Sequence, residues 1–225
     1  MAAARKTSKS TKRSRKEGPE EPQWYALACG HAPGVYTNLP DLHKAVGTYH
    51  TPLWKVCATE DAAARFVGLF ADAGAVVYTD GSCPRNGQAG AAAGVGVYWG
   101  PDHVSNVSRP VRGQYTSNNV AELEAIEEAL QQIAAHEVLK TQPVVVVSDS
   151  MYSIQAVTTW YSGFVRRGWK TTGGSEVKNP DLIRSIRALL DTLVHVRLVH
   201  VHGHVGHAGN EAADALAGAG GSTVA

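Results

Sequence analysis

Four consecutive valines, Val144 to Val147, stand between Pro143 and Ser148-Asp149. A run this short, continuously apolar and β-branched marks a strand covered on both faces, because a half-exposed strand alternates apolar with polar residues. A chain that contains it must lay material on both sides of a sheet. With 225 residues, 44% of them apolar, there is enough chain for one ordinary domain and a small second one.

The stretches around the valines indicate what the other strands and layers are. Ala75 to Thr79 predicts a strand, Asp80-Gly81-Ser82 a turn, Gly90 to Trp99 a second strand and His103 to Arg109 a third, together an antiparallel meander. Asn118 to His136 then repeats apolar residues at helical steps, through Val120, Leu123, Ile126, Leu130 and Ile133. Beyond the valine strand come a helix over Ser150 to Tyr161, another over Asp181 to Leu193, a strand over His195 to Val201 and a last helix over Ala208 to Ala217. Hairpin strands followed by alternating strands and helices predict an α/β fold, a mixed five-stranded sheet flanked by helices. Ahead of it, residues 23–67 give the order β-β-α-β-α of a small α+β domain, with a Pro33-Gly34 turn and a helix opened by Thr59-Glu60-Asp61. The expected organisation is a disordered basic tail over 1–22, the small domain over 23–67, a short hinge over 68–74, the larger domain over 75–219 and a flexible end over 220–225.

Four acids fall at telling places on this framework. Asp80 closes the first strand of the larger domain and Asp149 the valine strand; the two strands are expected to be adjacent and parallel, so both acids sit at the sheet edge where ligands bind. Glu122 lies near the start of the long helix and Asp214 in the last one. Singly, each has an ordinary structural explanation as a turn former, a cap or a solvated helix residue. Converged, they would repel one another unless divalent cations neutralised them, an arrangement suited to handling phosphate.

The wording around these acids is specific. Tyr78-Thr79-Asp80-Gly81-Ser82, Asn118-Asn119 ahead of Ala121-Glu122, Ser148-Asp149-Ser150, and Gly203-His204 followed by Gly209-Asn210-Glu211 and Asp214 resemble the successive signatures of ribonuclease H, most closely type 1. The small domain, through Pro33-Gly34-Val35-Tyr36 and Ala58-Thr59-Glu60-Asp61, is similar to the hybrid-binding domain of eukaryotic members. The resemblance implies an endonuclease that cuts the RNA strand of RNA·DNA hybrids, leaving 5′-phosphate and 3′-hydroxyl ends. Asp80, Glu122, Asp149 and Asp214 would hold two Mg²⁺ ions about 4 Å apart, with Mn²⁺ a possible substitute, and His204 would assist proton transfer or product release.

It also implies substrate contacts. Asn86 and Asn119 match positions that read 2′-hydroxyls, with Asn118 beside them, and Ser117 and Asn179 match a phosphate pocket. Trp160, Phe164 and Trp169, interleaved with Arg166, Arg167 and Lys170, resemble the basic protrusion that grips the DNA strand, although packing is the alternative for the aromatics. The chain departs from the family at Tyr115, where a basic residue is common, at Leu39, where a stacking tryptophan is common, and at Val56, the second of a usual lysine pair with Lys55. The expected results are a less cationic phosphate pocket with weaker DNA-strand affinity, from Tyr115, and weaker hybrid binding by the small domain, from Leu39 and Val56.

Charge and cysteine content bound the setting. Residues 1–16 hold seven of the 21 basic side chains and no acid, leaving 14 basic and 20 acidic side chains on the remainder. This tail fits a nuclear localisation signal or a phosphate-attracting arm, and it lacks the apolar face of a mitochondrial transit helix; a mitochondrial or cytoplasmic location stays open. Cys29, Cys57 and Cys83 form no C-x-x-C pair, which argues for a reducing intracellular compartment, and no apolar run is long enough for a membrane. A monomer that binds an RNA·DNA hybrid is expected. His202, His204 and His207 invite a zinc reading, but an oxygen-rich acid set suits Mg²⁺ or Mn²⁺ better, and His202 and His207 are expected to be solvated loop residues. The alternatives are another enzyme on the same fold, such as a transposase, resolvase or reverse-transcriptase domain, and a catalytically silent hybrid-binding protein.

Overall fold

The computed structural model describes residues 23–49, 52–87, 91–113, 116–203 and 207–223. The N-terminal unit runs β1 (Trp24–Cys29), β2 (Gly34–Tyr36), α1 (Leu39–Val46), β3 (Leu53–Cys57) and α2 (Glu60–Leu69), in the predicted order. Its sheet is antiparallel, β2-β1-β3. Each helix starts where a side-chain oxygen takes up a first-turn amide: Asn38 accepts from Asp41 N at 2.9 Å and Thr59 from Ala62 N at 3.2 Å. Tyr25, Leu27 and Trp54 gather with Leu42 and Ala45 of α1, while Ala26, Ala28 and Cys57 gather with Ala63 and Phe66 of α2.

The larger domain runs β4 (Ala75–Ser82), β5 (Gly94–Tyr98), β6 (Val107–Pro110), α3 (Asn118–Ala135), β7 (Val144–Ser148), α4 (Met151–Val157), α5 (Tyr161–Arg166), α6 (Pro180–Thr192), β8 (Val196–His200) and α7 (Ala208–Ser222). The sheet order is β6-β5-β4-β7-β8; β4, β7 and β8 are parallel to one another, and β5 and β6 are antiparallel. This is the RNase H-like arrangement of a mixed five-stranded sheet flanked by helices.

All four valines of β7 are 0% exposed, as a doubly covered strand requires. Val144 and Val146 join Val77 and Val97 against Leu123, Ile126 and Leu130 of α3 and Ile183 and Ile186 of α6. Val145 and Val147 join Val76 and Tyr78 on the other face, and what covers them is only partly helical. Ala213 of α7 contributes, and Ala26, Ala28, Leu53, Phe66 and Phe70 of the N-terminal portion complete the layer. Each such valine contributes about 1.5–3 kcal/mol on leaving water.

Residues 68–74 fasten the two parts together. Gly68 and Leu69 belong to α2, Phe70 is buried, Asp72 pairs with Arg197 at 2.8 Å, and the Arg197 guanidinium lies 5.5 Å over the Phe70 ring. Gly74 N donates to Pro143 O at 2.8 Å, which sets the β4–β7 register.

Several element bounds differ from expectation, each for a local reason. The expected strand over His103 to Arg109 shrinks to β6, because Asn106 folds the preceding residues back by accepting from Trp99 N at 2.7 Å and donating to Gly100 O at 2.7 Å. The expected helix over Ser150 to Tyr161 is two helices, broken where Thr158 turns its hydroxyl onto Ile154 O at 2.5 Å and Trp160 N reaches back to Gln155 O at 2.8 Å. The second of these, α5, carries the chain through Gly163 to Arg166, past the expected end at Tyr161. The last helix extends past Ala217 to Ser222, since its small residues lie backbone to backbone on β5: a Cβ at Gly96 would fall 2.1 Å from Ala213 O. No helix among the described residues is long and apolar enough to cross a membrane.

Candidate active site

The four acids predicted to converge line one pocket, together with Gly81, Ser82, Asn118 and Ser150. Asp80 lies inside β4 instead of in a turn after it, because Gly81 and Ser82 keep pairing with Val95 and Gly94 of β5. The parallel register pairs Thr79 with Ser148, so Asp80 and Asp149 emerge side by side. Glu122 is one turn into α3, whose start is fixed by Ser117 Oγ accepting from Val120 N at 3.3 Å. A Cβ at Gly81 would fall 2.1 Å from Glu122 N, so only a bare backbone there lets α3 bring Glu122 beside Asp80. Asp214 faces the pocket from α7 and lies within hydrogen-bonding reach of Asp80.

Carboxylate oxygens of Asp80, Glu122 and Asp149 all lie within 4.8 Å of one another. The first two side chains are only 5% exposed. Burial, then the charges of Asp149 and Asp214, push the Asp80 carboxyl up to about 8, and burial with the charges of Asp80 and Asp149 holds Glu122 well above the ordinary carboxylate range. The Gly81 amide is the one opposing influence on both. Glu122 Oε2 is buried and has no hydrogen-bond partner among the described residues. An orphaned acceptor among crowded acids is a poor arrangement for a protein alone and a good one for a hard cation with oxygen ligands, so these residues fit a divalent metal.

Asp149 is held by residues to which the sequence assigned no role, although Gly203 and Asn210 stand in its motifs. Asn210 Nδ2 donates to Asp149 Oδ2 at 3.1 Å, and His200 Nε2 lies 3.1 Å from the Asp149 carbonyl. A Cβ at Gly203 would fall 2.5 Å from Asp149 Oδ2, so that glycine lets the chain pass. Asn210 stands four residues before Asp214 on α7, one helical turn on the same face, and that spacing was the available signal. His207, expected as a solvated loop residue, is 3% exposed and immediately precedes α7, and burial pushes its imidazole down to about 4. His202 is exposed, as expected. His204 lies outside the described residues, as do Tyr115 and the basic tail.

The remaining predicted substrate residues occupy neighbouring ground. Asn86 Oδ1 accepts from Asn118 N at 3.2 Å and ties the loop after β4 to the start of α3. Asn119 lines an adjoining groove with Tyr152, Trp160, Phe164, Arg167 and Lys178. Trp160 is 38% exposed there, whereas Phe164 is mostly buried and Trp169 lies under the Arg184 guanidinium at 3.9 Å, so the aromatics both pack and face the groove. Asn179, with φ 56° at the start of α6, lines a separate groove with Arg112 and Ser185 that Ser117 does not join. Arg112, unnoticed in the sequence, is paired with Glu128 at 2.7 Å.

A family model described as RNase H matches residues 72–222. The chain belongs to the RNase H family. Residues 23–67 match a second model, described as the Ribonuclease H1 N-terminal domain, so this is an RNase H domain carrying the N-terminal domain found with it in Ribonuclease H1. Ribonuclease H1 of Homo sapiens is 41% identical over 142 residues, 63% of this chain and 48% of that protein. Ribonuclease H of Schizosaccharomyces pombe is 42% identical over 147 residues, 65% of this chain and 53% of that one. The chain thus spans about half the length of these curated relatives. Among solved structures, a type 1 RNase H with the type 2 active-site motif superposes with a TM-score of 0.50 at 32% identity, covering 66% of this chain and 72% of that one. A foamy viral protease-reverse transcriptase in complex with RNA/DNA hybrid gives a TM-score of 0.57 at 25% identity, covering 68% of this chain and 20% of that one.

Proposed function

We propose that the protein is an endonuclease that hydrolyses the RNA strand of RNA·DNA hybrids, leaving 5′-phosphate and 3′-hydroxyl ends. The observation that carries this reading is the convergence of Asp80, Glu122 and Asp149 within 4.8 Å, with a buried Glu122 oxygen lacking any donor among the described residues. Asp80 would serve two Mg²⁺ ions, Asp149 and Asp214 the one on the nucleophile's side and Glu122 the other, with Mn²⁺ an acceptable substitute. When bound, such a pair neutralises charge on the scissile phosphate and acidifies the attacking water.

The chain's own residues do the rest. Asn210 aims the Asp149 carboxylate and Gly81 keeps Glu122 in place beside Asp80. Asn86, Asn118 and Asn119 present short amides next to the acids, suited to donating to and accepting from 2′-hydroxyls that DNA lacks. Trp160 and Phe164 offer rings to the partner strand beside Arg167. Ser117, at the start of α3, and Asn179, in its separate groove, meet phosphates of that strand at different points, and His204 helps move the proton or release product.

The N-terminal domain binds hybrid weakly on this reading. Leu39 is 40% and Val56 51% exposed, apolar where a stacking ring and a cation would serve, and Lys55 rests over the Phe66 ring at 4.7 Å. The protein acts as a monomer, with a nuclear address around Lys12 to Lys16. Incubating the full chain with a labelled hybrid and with matching RNA and DNA duplexes, each with and without Mg²⁺, tests the reading. Cutting of the hybrid's RNA strand alone, and only with metal, is the expected outcome; cutting of all three or of none would overturn it.

A further inference from the structure

The first turn of α7 carries Asn210, which aims Asp149, and the next turn carries Asp214, so the placement of this helix governs two of the four acids. The N-terminal domain reaches its foot once directly, through Trp54, and once indirectly, through Tyr78 of β4. His207, the residue before α7, turns its imidazole away from capping and lays it against the Trp54 indole of β3, with ring centroids 4.8 Å apart and planes at 45°. Its carbonyl accepts from Glu211 N at 2.9 Å, so the residue that packs on Trp54 is hydrogen-bonded into the helix. Gly209 is seated on the Tyr78 ring, where a Cβ would fall 2.3 Å from a ring carbon. The Tyr78 hydroxyl donates to Pro52 O, two residues before Trp54. The foot of α7 therefore touches both Trp54 and a tyrosine whose hydroxyl is held just ahead of β3, and Tyr78 itself stands two residues before Asp80.

We propose that Trp54 is a positioning residue for catalysis: packed at a tilt against the His207 ring, it sets the register of α7 and through it the Asn210–Asp149 bond and the approach of Asp214. The proposal rests on the hybrid-cleaving reading of the site. It gives the N-terminal domain a task distinct from hybrid binding, since the Trp54 ring is buried with Tyr25, Leu27, Leu42 and Ala45 and only its His207 edge serves the active site. Reach alone does not create such a lever; what does is that misplacing catalytic groups by about 1 Å costs up to a hundredfold in rate.

The test compares Trp54→Leu, Trp54→Phe, His207→Leu and the double variant Trp54→Leu/His207→Leu in the full chain, measuring kcat and KM on a hybrid at saturating Mg²⁺. Hydrogen exchange at the Glu211 amide, read without metal, reports the foot of α7 independently of activity. We expect Trp54→Leu to lower kcat about tenfold with KM nearly unchanged, Trp54→Phe to restore most of it, the double variant to lose no more than the worse single one, and Glu211 exchange to quicken wherever kcat falls. A rise in KM at unchanged kcat, additive losses in the double variant, or unchanged exchange would overturn the proposal. If Trp54→Leu does not fold, His207→Leu, which leaves the core of the N-terminal domain whole, decides alone: a wild-type kcat refutes the idea. A wild-type protein that cleaves no hybrid refutes the reading of the site itself, and the proposal with it, whereas active enzyme indifferent to Trp54 refutes only the proposal.

Discussion

At Asp80 two opposing demands meet. The side chain must be charged to hold a cation, yet burial and the charges of Asp149 and Asp214 push its carboxyl up to about 8, so without metal it keeps its proton at neutral pH. A carboxyl held more protonated folded than unfolded adds stability below its unfolded value near roughly 4, and that stability is lost as pH rises to about 8. In EDTA the melting temperature should therefore fall across this interval, more steeply in the wild type than in Asp80→Asn, and Mg²⁺ should remove the difference in slope. Equal slopes in EDTA would show that Asp80 is not strained. Leu39 offers a residue-scale test of the other domain. Restoring a ring with Leu39→Trp should tighten hybrid binding by about 1 kcal/mol or more, roughly fivefold, in a titration under non-cleaving conditions, because base stacking on an aromatic is worth about 1–3 kcal/mol. An unchanged Kd would mean that this helix end does not meet the hybrid.

Among the elements, β4 and α3 show how much of the site rests on close approach. Gly81→Ala drives a methyl into the α3 backbone at Glu122, so it should destabilise the fold by about 1–3 kcal/mol in denaturant titration and cost about a hundredfold or more in cleavage. Near-normal activity in that variant would show α3 able to retreat without moving Glu122. The sequence showed the long helix, the valine strand and the positions of all four acids, because periodicity and β-branched runs report local burial directly. It did not show that β4 carries on through Gly81 and Ser82, since a Gly after an Asp reads as a turn until a partner strand is present to pair with it. His207 escaped for a related reason: its partner, Trp54, lies in another domain, and no local pattern encodes a contact that tertiary packing makes. Asn210 was written into the motif, but its hydrogen bond to Asp149 spans 61 residues and needed the folded chain to be seen.

For the whole molecule, the doubly covered strand has an outcome that helices alone do not supply. Part of one sheet face is closed by the N-terminal domain and by Phe70, so removing residues 1–67 would bare Val145, Val147 and the Tyr78 side of the sheet. The truncated protein should melt lower and self-associate, as seen by calorimetry and light scattering, even where its hybrid affinity is hardly altered; an equally stable monomer would mean that α7 suffices as cover. The same packing links the acids to the whole chain, since β4, α3, β7 and α7 each bring one of them and every one of these elements is placed by the shared core. The most direct test of that convergence is hybrid cleavage by Asp149→Asn beside the wild type in Mg²⁺. The account predicts that the RNA strand is cut only by the wild type while both proteins fold and bind hybrid alike; undiminished cutting by Asp149→Asn would contradict it.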